Sequence, residues 1–154
     1  MRAVRKTMTT RVHATCVALR QGKTWRAVLL RGPSGAGKSD LALRLIETGW
    51  RLVADDQTEL SCQGKQLIAT APARIAGMIE ARGLGIVKVA RDQLVRRAPV
   101  ALLVDLAHPE RIERLPEPAG ETVLGIELPV VSLAPFEASA SAKLRLALTQ
   151  IANA

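Results

Sequence analysis

The stretch Gly32-Pro33-Ser34-Gly35-Ala36-Gly37-Lys38-Ser39 satisfies G-x-x-x-x-G-K-[ST] at every fixed position. An apolar run, Ala27-Val28-Leu29-Leu30, precedes it, and a helix-forming run, Asp40-Leu41-Ala42-Leu43-Arg44-Leu45-Ile46, follows. A strand feeding a glycine-rich loop that opens a helix is the context in which this pattern binds phosphate. The glycines let the backbone turn its N–H groups inward, and the helix start adds the positive end of its dipole. On this reading residues 32–39 cradle the phosphates, Lys38 reaches the terminal ones and the Ser39 hydroxyl meets Mg²⁺.

The rest of the chain reads as strands and helices around that loop. Segments 12–19 and 25–30 form a hairpin across a polar turn at 20–23, and the second strand leads into the loop. The helix covers about 39–48, with Gly49 placed for a left-handed C-terminal cap. Strands are expected at 51–54, 58–62, 66–70, 86–89, 100–106, 122–124 and 127–133. Short helical pieces are expected at 74–80 and 91–97, a surface loop at 108–120, and an amphipathic helix at 139–152 through Leu144, Leu148 and Ile151. Alternation of strands and helices with adjacent hairpins predicts a single α/β domain over 12–154 with a mixed sheet, preceded by a basic extension at 1–11.

Composition narrows the partners. At 154 residues, 48% hydrophobic and 23% charged, the chain has the make-up of one globular domain. No apolar run approaches a membrane span. The net charge is +8, yet aromatics are only 2% and the basic residues are scattered, which speaks against a base-stacking nucleic-acid surface and for phosphates and an acidic protein partner. Cys16 and Cys62 have neither metal-ligand spacing nor a disulfide-rich setting, as in a reduced cytoplasmic protein.

Acids complete the pattern. Asp55-Asp56 end the strand after the loop's helix. Adjacent strand residues point to opposite faces, so only one of the two faces the phosphates; Asp56 is the expected one, and one residue of register exchanges them. Asp105, ending another apolar strand, is a further acid with the position of a metal-holding Walker B residue.

In chain order, His13, the loop 32–39, Arg51-Leu52-Val53-Ala54-Asp55-Asp56 and Glu80-Ala81-Arg82-Gly83-Leu84-Gly85-Ile86 resemble the catalytic domain of bacterial HPr kinase/phosphorylase. The resemblance is specific from 12 to 86 and looser beyond. It implies a phosphate-loop kinase domain that transfers phosphate from ATP, with Mg²⁺, to a serine of HPr, the phosphocarrier of the phosphotransferase system. It further implies that Asp56 accepts the serine proton, Glu80 is the other Mg²⁺ ligand, His13 lies by the phosphates and Arg114 is the later active-site arginine. The family does not require an acid at Asp105, whose strand-end position alone makes it the rival of Glu80. Hexameric assembly follows from resemblance alone. Family members carry an N-terminal domain that is expected to be missing here. The basic segment tied to the reverse reaction, roughly P-x-R-P-G-R-N, is replaced at 128–136 by a stretch without Arg or Gly, which predicts weak or absent phosphorolysis. A small-molecule kinase and a nucleotide-sensing module without transfer activity are the rival readings.

Overall fold

A computed structural model describes residues 7–152. The hairpin that introduces the phosphate loop is built from β2 (Ala14–Gln21) and β3 (Thr24–Arg31), joined tightly so that Gln21 faces Thr24. Six successive residues of β2 are buried. An uninterrupted buried run of this kind marks a strand covered on both faces. The loop leads into α1 (Lys38–Glu47), whose buried stripe of Leu41, Ala42, Leu45 and Ile46 lies against the sheet. Gly49 ends the helix at φ 101°: its N–H bonds Ile46 O at 3.1 Å, and Trp50 N–H bonds Leu45 O at 3.1 Å. This is the paired closure in which a left-handed residue satisfies the last carbonyls, and it delivers Trp50 into the core.

β4 (Arg51–Ala54) pairs with β2. β9 (Arg97–Leu106) pairs parallel with β3, and β11 (Ile126–Leu133) parallel with β9, with β10 (Ala119–Val123) antiparallel at the edge. The main sheet is therefore ordered β10-β11-β9-β3-β2-β4. The first residues of β9 also pair antiparallel with β6 (Gln66–Thr70), which continues through β5 (Thr58–Gln63) to β1 (Thr9–Val12). Among the described residues, nine strands thus form one curled sheet. α1 and α2 (Ala140–Ala152) pack on one face of it through Leu41, Leu45, Leu144 and Leu148. The β5–β6 arm folds over the other, where Leu29, Leu60, Leu67 and Leu103 meet. The expected α/β architecture with a mixed sheet is what the chain adopts.

Several local expectations are corrected. The sheet begins at Thr9, inside the stretch read as an extension, because β1 pairs with β5 from Thr9↔Ser61 to Val12↔Thr58; residues 1–6 of that extension lie outside the described residues. The segment 74–80 is not helical. A 3-10 turn at Ala73–Ile75 stops before Gly77, and β7 (Met78–Ala81) pairs with β8 (Gly85–Lys88) as a separate ribbon. Alternation explains the outcome, since Ile79 and Ala81 are buried while Glu80 faces out. The segment 91–97 holds only a 3-10 turn, Arg91–Gln93; Leu94 then bridges Leu52, and Val95 N–H bonds Leu52 O, covering the outer edge of β4. The loop at 108–120 contains a 3-10 turn at Pro109–Arg111 and gives way to β10 at Ala119.

Candidate active site

β4, β3, β9 and β11 all run in one direction, β4 reaching β3 through two antiparallel steps across β2. Their C-terminal ends share an edge, the place where open α/β sheets bind ligands. Along it come Asp55-Asp56 after β4, His13 and Thr15 where β2 begins, loop 32–39 after β3, residues 107–111 after β9 and residues 134–137 after β11.

The loop's shape rests on Gly37, the N-cap of α1. Its φ of 101° is a left-handed conformation that glycine adopts freely, and the edge of the Phe136 ring lies over its Cα, with Cζ 2.7 Å from where a Cβ would stand. Leu41 N–H closes the first helical bond on Gly37 O at 2.9 Å, while Gly37 brings no side chain to cap the first turn. The first-turn amides therefore face outward as donors for an anion. Lys38 is buried, its ammonium donating to Gly32 O at 2.6 Å and Pro33 O at 3.1 Å.

Beside the loop, Asp55 is buried and accepts three hydrogen bonds. Ser39 Oγ donates to Oδ1 at 2.7 Å, Thr15 Oγ1 to the same oxygen at 3.0 Å, and Glu80 N–H to Oδ2 at 2.9 Å. Asp56 turns the other way. It holds a left-handed φ of 65°, its N–H donates to Thr15 Oγ1 at 3.1 Å, and its exposed carboxylate accepts from His13 Nε2 at 2.7 Å. One threonine hydroxyl therefore orients both acids: Asp55 toward the loop's serine, Asp56 toward solvent and histidine. Among the described residues no three His, Cys, Asp or Glu side chains gather as a metal cluster; the oxygen donors that meet are Ser39 Oγ and the Asp55 carboxylate.

Asp105 is committed elsewhere. It alternates with Val104 and Leu106, which face the helices, and so lies on the opposite face of the sheet with Arg31. Arg31 Nε and Nη2 grip its two oxygens at 2.8 and 3.1 Å, while Nη1 and Nη2 hold Glu121, whose hydrogen bond from Arg31 keeps its carboxyl below the usual carboxylate range. Asp105 thus lies with Arg31, while the Glu80 N–H meets the acid that holds Ser39.

The family model for the HPr serine kinase C-terminal domain matches residues 6–144. The chain belongs to this family. The solved structure of the Hpr(Ser) kinase/phosphatase from Coxiella burnetii superposes with a TM-score of 0.81 at 28% identity, covering 94% of this chain and 93% of that one. HPr kinase/phosphorylase from Clostridium beijerinckii is 36% identical over 103 residues, 64% of this chain and 33% of the relative. That from Exiguobacterium is 49% identical over 63 residues, 40% of this chain and 20% of the relative. The chain thus matches a third or less of the length of these curated relatives.

Within this domain, the structure brings His13, Lys38, Ser39 and Asp56 to one edge. Glu80 arrives by its backbone, on β7 instead of a helix, with an exposed side chain. Arg114 is exposed between the Pro109–Arg111 turn and β10 and forms no hydrogen bond with these groups. Sequence reading missed Thr15, and it passed over Asp55 as the acid against Ser39. The available signal was a lone threonine in the otherwise apolar run Ala14-Thr15-Cys16-Val17, since a buried hydroxyl in a central strand requires a partner.

Proposed function

We propose that this domain is an ATP- and Mg²⁺-dependent protein serine kinase whose acceptor is HPr. The observation that carries the reading is the division of labour between adjacent acids, Asp55 on the phosphate-loop serine and Asp56 free of the loop and paired with His13. The family and the names of the relatives supply the acceptor.

The serine hydroxyl of the acceptor attacks the γ-phosphorus. The bond from that phosphorus to its bridging oxygen breaks, ADP leaves with the electron pair, and the hydroxyl proton passes to the Asp56 carboxylate. A loose transition state of this kind needs positioning and charge neutralisation more than covalent chemistry. Lys38 and the first-turn amides of α1 neutralise phosphate oxygens, and His13 fixes the orientation of Asp56. Hard oxygen donors suit Mg²⁺, which keeps several waters and takes few protein ligands. Ser39 and Asp55 would hold it, with Glu80 as the further acid at hand, and when bound it neutralises phosphate charge. Arg114 belongs to the proposal as a residue that meets the phosphates only with substrates in place. A cytoplasmic location and a hexameric assembly, both carried by resemblance, complete it.

Replacing Asp56 by Asn tests the reading. ATP binding should persist while transfer to HPr falls by roughly 10²–10⁴-fold, the range for loss of a positioned base. Undiminished transfer would remove Asp56 from the role. In the reverse direction, phosphoserine-HPr supplied with inorganic phosphate should release little pyrophosphate, because residues 128–136 contain no Arg and no Gly. Brisk release would refute that part.

A further inference from the structure

We infer that the cleft between the loops after β9 and β11 is the nucleoside subsite of this domain, with the exposed ring of Phe136 as the wall against which the base stacks. The inference rests on the phosphate-loop reading above and adds where the rest of the nucleotide lies.

Order along the sheet edge is the first ground. The acids and His13 stand on the β2–β4 side of the loop, so the reacting end of a triphosphate points that way. A chain of phosphates lying over the loop must then leave toward β9 and β11. There the molecule has a cleft of about 740 Å³, lined by Pro33 and Ala36 of the loop, Ala107, His108 and Pro109 after β9, and Phe136 after β11. Its volume falls within the range of small-molecule sites, and apolar walls with a few polar groups are their usual composition.

Phe136 is the second ground. It is the only phenylalanine of the chain and is 69% exposed, so a ring face is open to a ligand in the cleft. Its edge abuts Gly37 at the mouth of the phosphate loop. The ring's loop is also held in place: Arg44 of α1 donates to Pro135 O, and Ala107 N–H bonds Leu133 O at 2.9 Å, tying the two walls together at their roots. A fixed aromatic face beside a phosphate cradle offers stacking to any base, without reading its hydrogen-bonding edge.

The test compares ATP with inorganic tripolyphosphate, which has the phosphates and no nucleoside, by calorimetry in the presence of Mg²⁺. Phe136→Ala should weaken ATP roughly tenfold and leave tripolyphosphate within about twofold, as loss of one stacking partner requires. Phe136→Tyr, which keeps the ring, should restore ATP binding. Equal weakening of both ligands, or of neither, would overturn the subsite, the first pointing to a role for Phe136 only in shaping Gly37. Failure of the unaltered chain to bind either ligand would instead remove the phosphate-loop reading, and the subsite with it.

Discussion

Asp55 and Asp56 are neighbours in sequence but occupy different environments, and the difference is made by a residue forty positions earlier. Thr15 Oγ1 donates to Asp55 and accepts from the N–H of Asp56, so one hydroxyl ties the end of β4 to the start of β2. Thr15→Val preserves shape and removes both bonds. It leaves a buried carboxylate short of a donor and an amide without an acceptor, at a cost of about 1–3 kcal/mol. Urea denaturation should show that loss, and transfer should fall while Lys38 and the loop still bind ATP. Stability equal to that of the unaltered chain would mean water replaces the hydroxyl. Alternation along a strand correctly predicts that the two acids diverge; Asp56, the acid expected to face the phosphates, pairs with His13, while Asp55 is the one that meets the phosphate loop at Ser39. Which acid touches Ser39 depends on a positive φ at Asp56 that periodicity does not encode.

Among the elements, α1 is the most legible from sequence, because its signals are local: a glycine-rich entry, an apolar stripe and Gly49 at the exit. Gly49 has open space around its Cα, so the cost of adding a methyl there is purely that of the left-handed backbone. Gly49→Ala should destabilise the domain by about 1 kcal/mol. That corresponds to a Tm lower by about 2–4 °C for a chain of this size. An unchanged Tm would show that the cap contributes nothing. For the ribbon of β7 and β8 the sequence predicts a helical turn before a strand, because Arg74 to Glu80 lacks a decisive period. Tertiary contact settles it: Ile79 enters the core beside α1, and the N–H of Glu80 is drawn to Asp55. For the same reason 91–97 is not helical, since its backbone is used to cover β4. Local propensity has no access to such long-range partners.

Across the whole molecule, the curled sheet converts scattered sequence motifs into one edge. No helix among the described residues is long and apolar enough to cross a membrane. β9 is central to the arrangement. Its first residues hold the β6–β5–β1 arm, and its remainder lies between β3 and β11, so a single strand sets both the layer that buries the back of the sheet and the spacing of the loops in front. The fully apolar character of 100–104 announces a central strand, but its double role is a matter of topology and leaves no mark in the sequence. Arg31 shows the same limit: its grip on Asp105 and Glu121 joins β3, β9 and β10 and engages an acid that sequence position alone makes a metal candidate. The central claim, that this edge transfers phosphate to a protein serine, is tested most directly with γ-labelled ATP, Mg²⁺ and HPr from the same organism, beside a Lys38→Ala control. The account predicts label on a serine of HPr that is absent from the control. ATP bound or slowly hydrolysed with no label on HPr would contradict it.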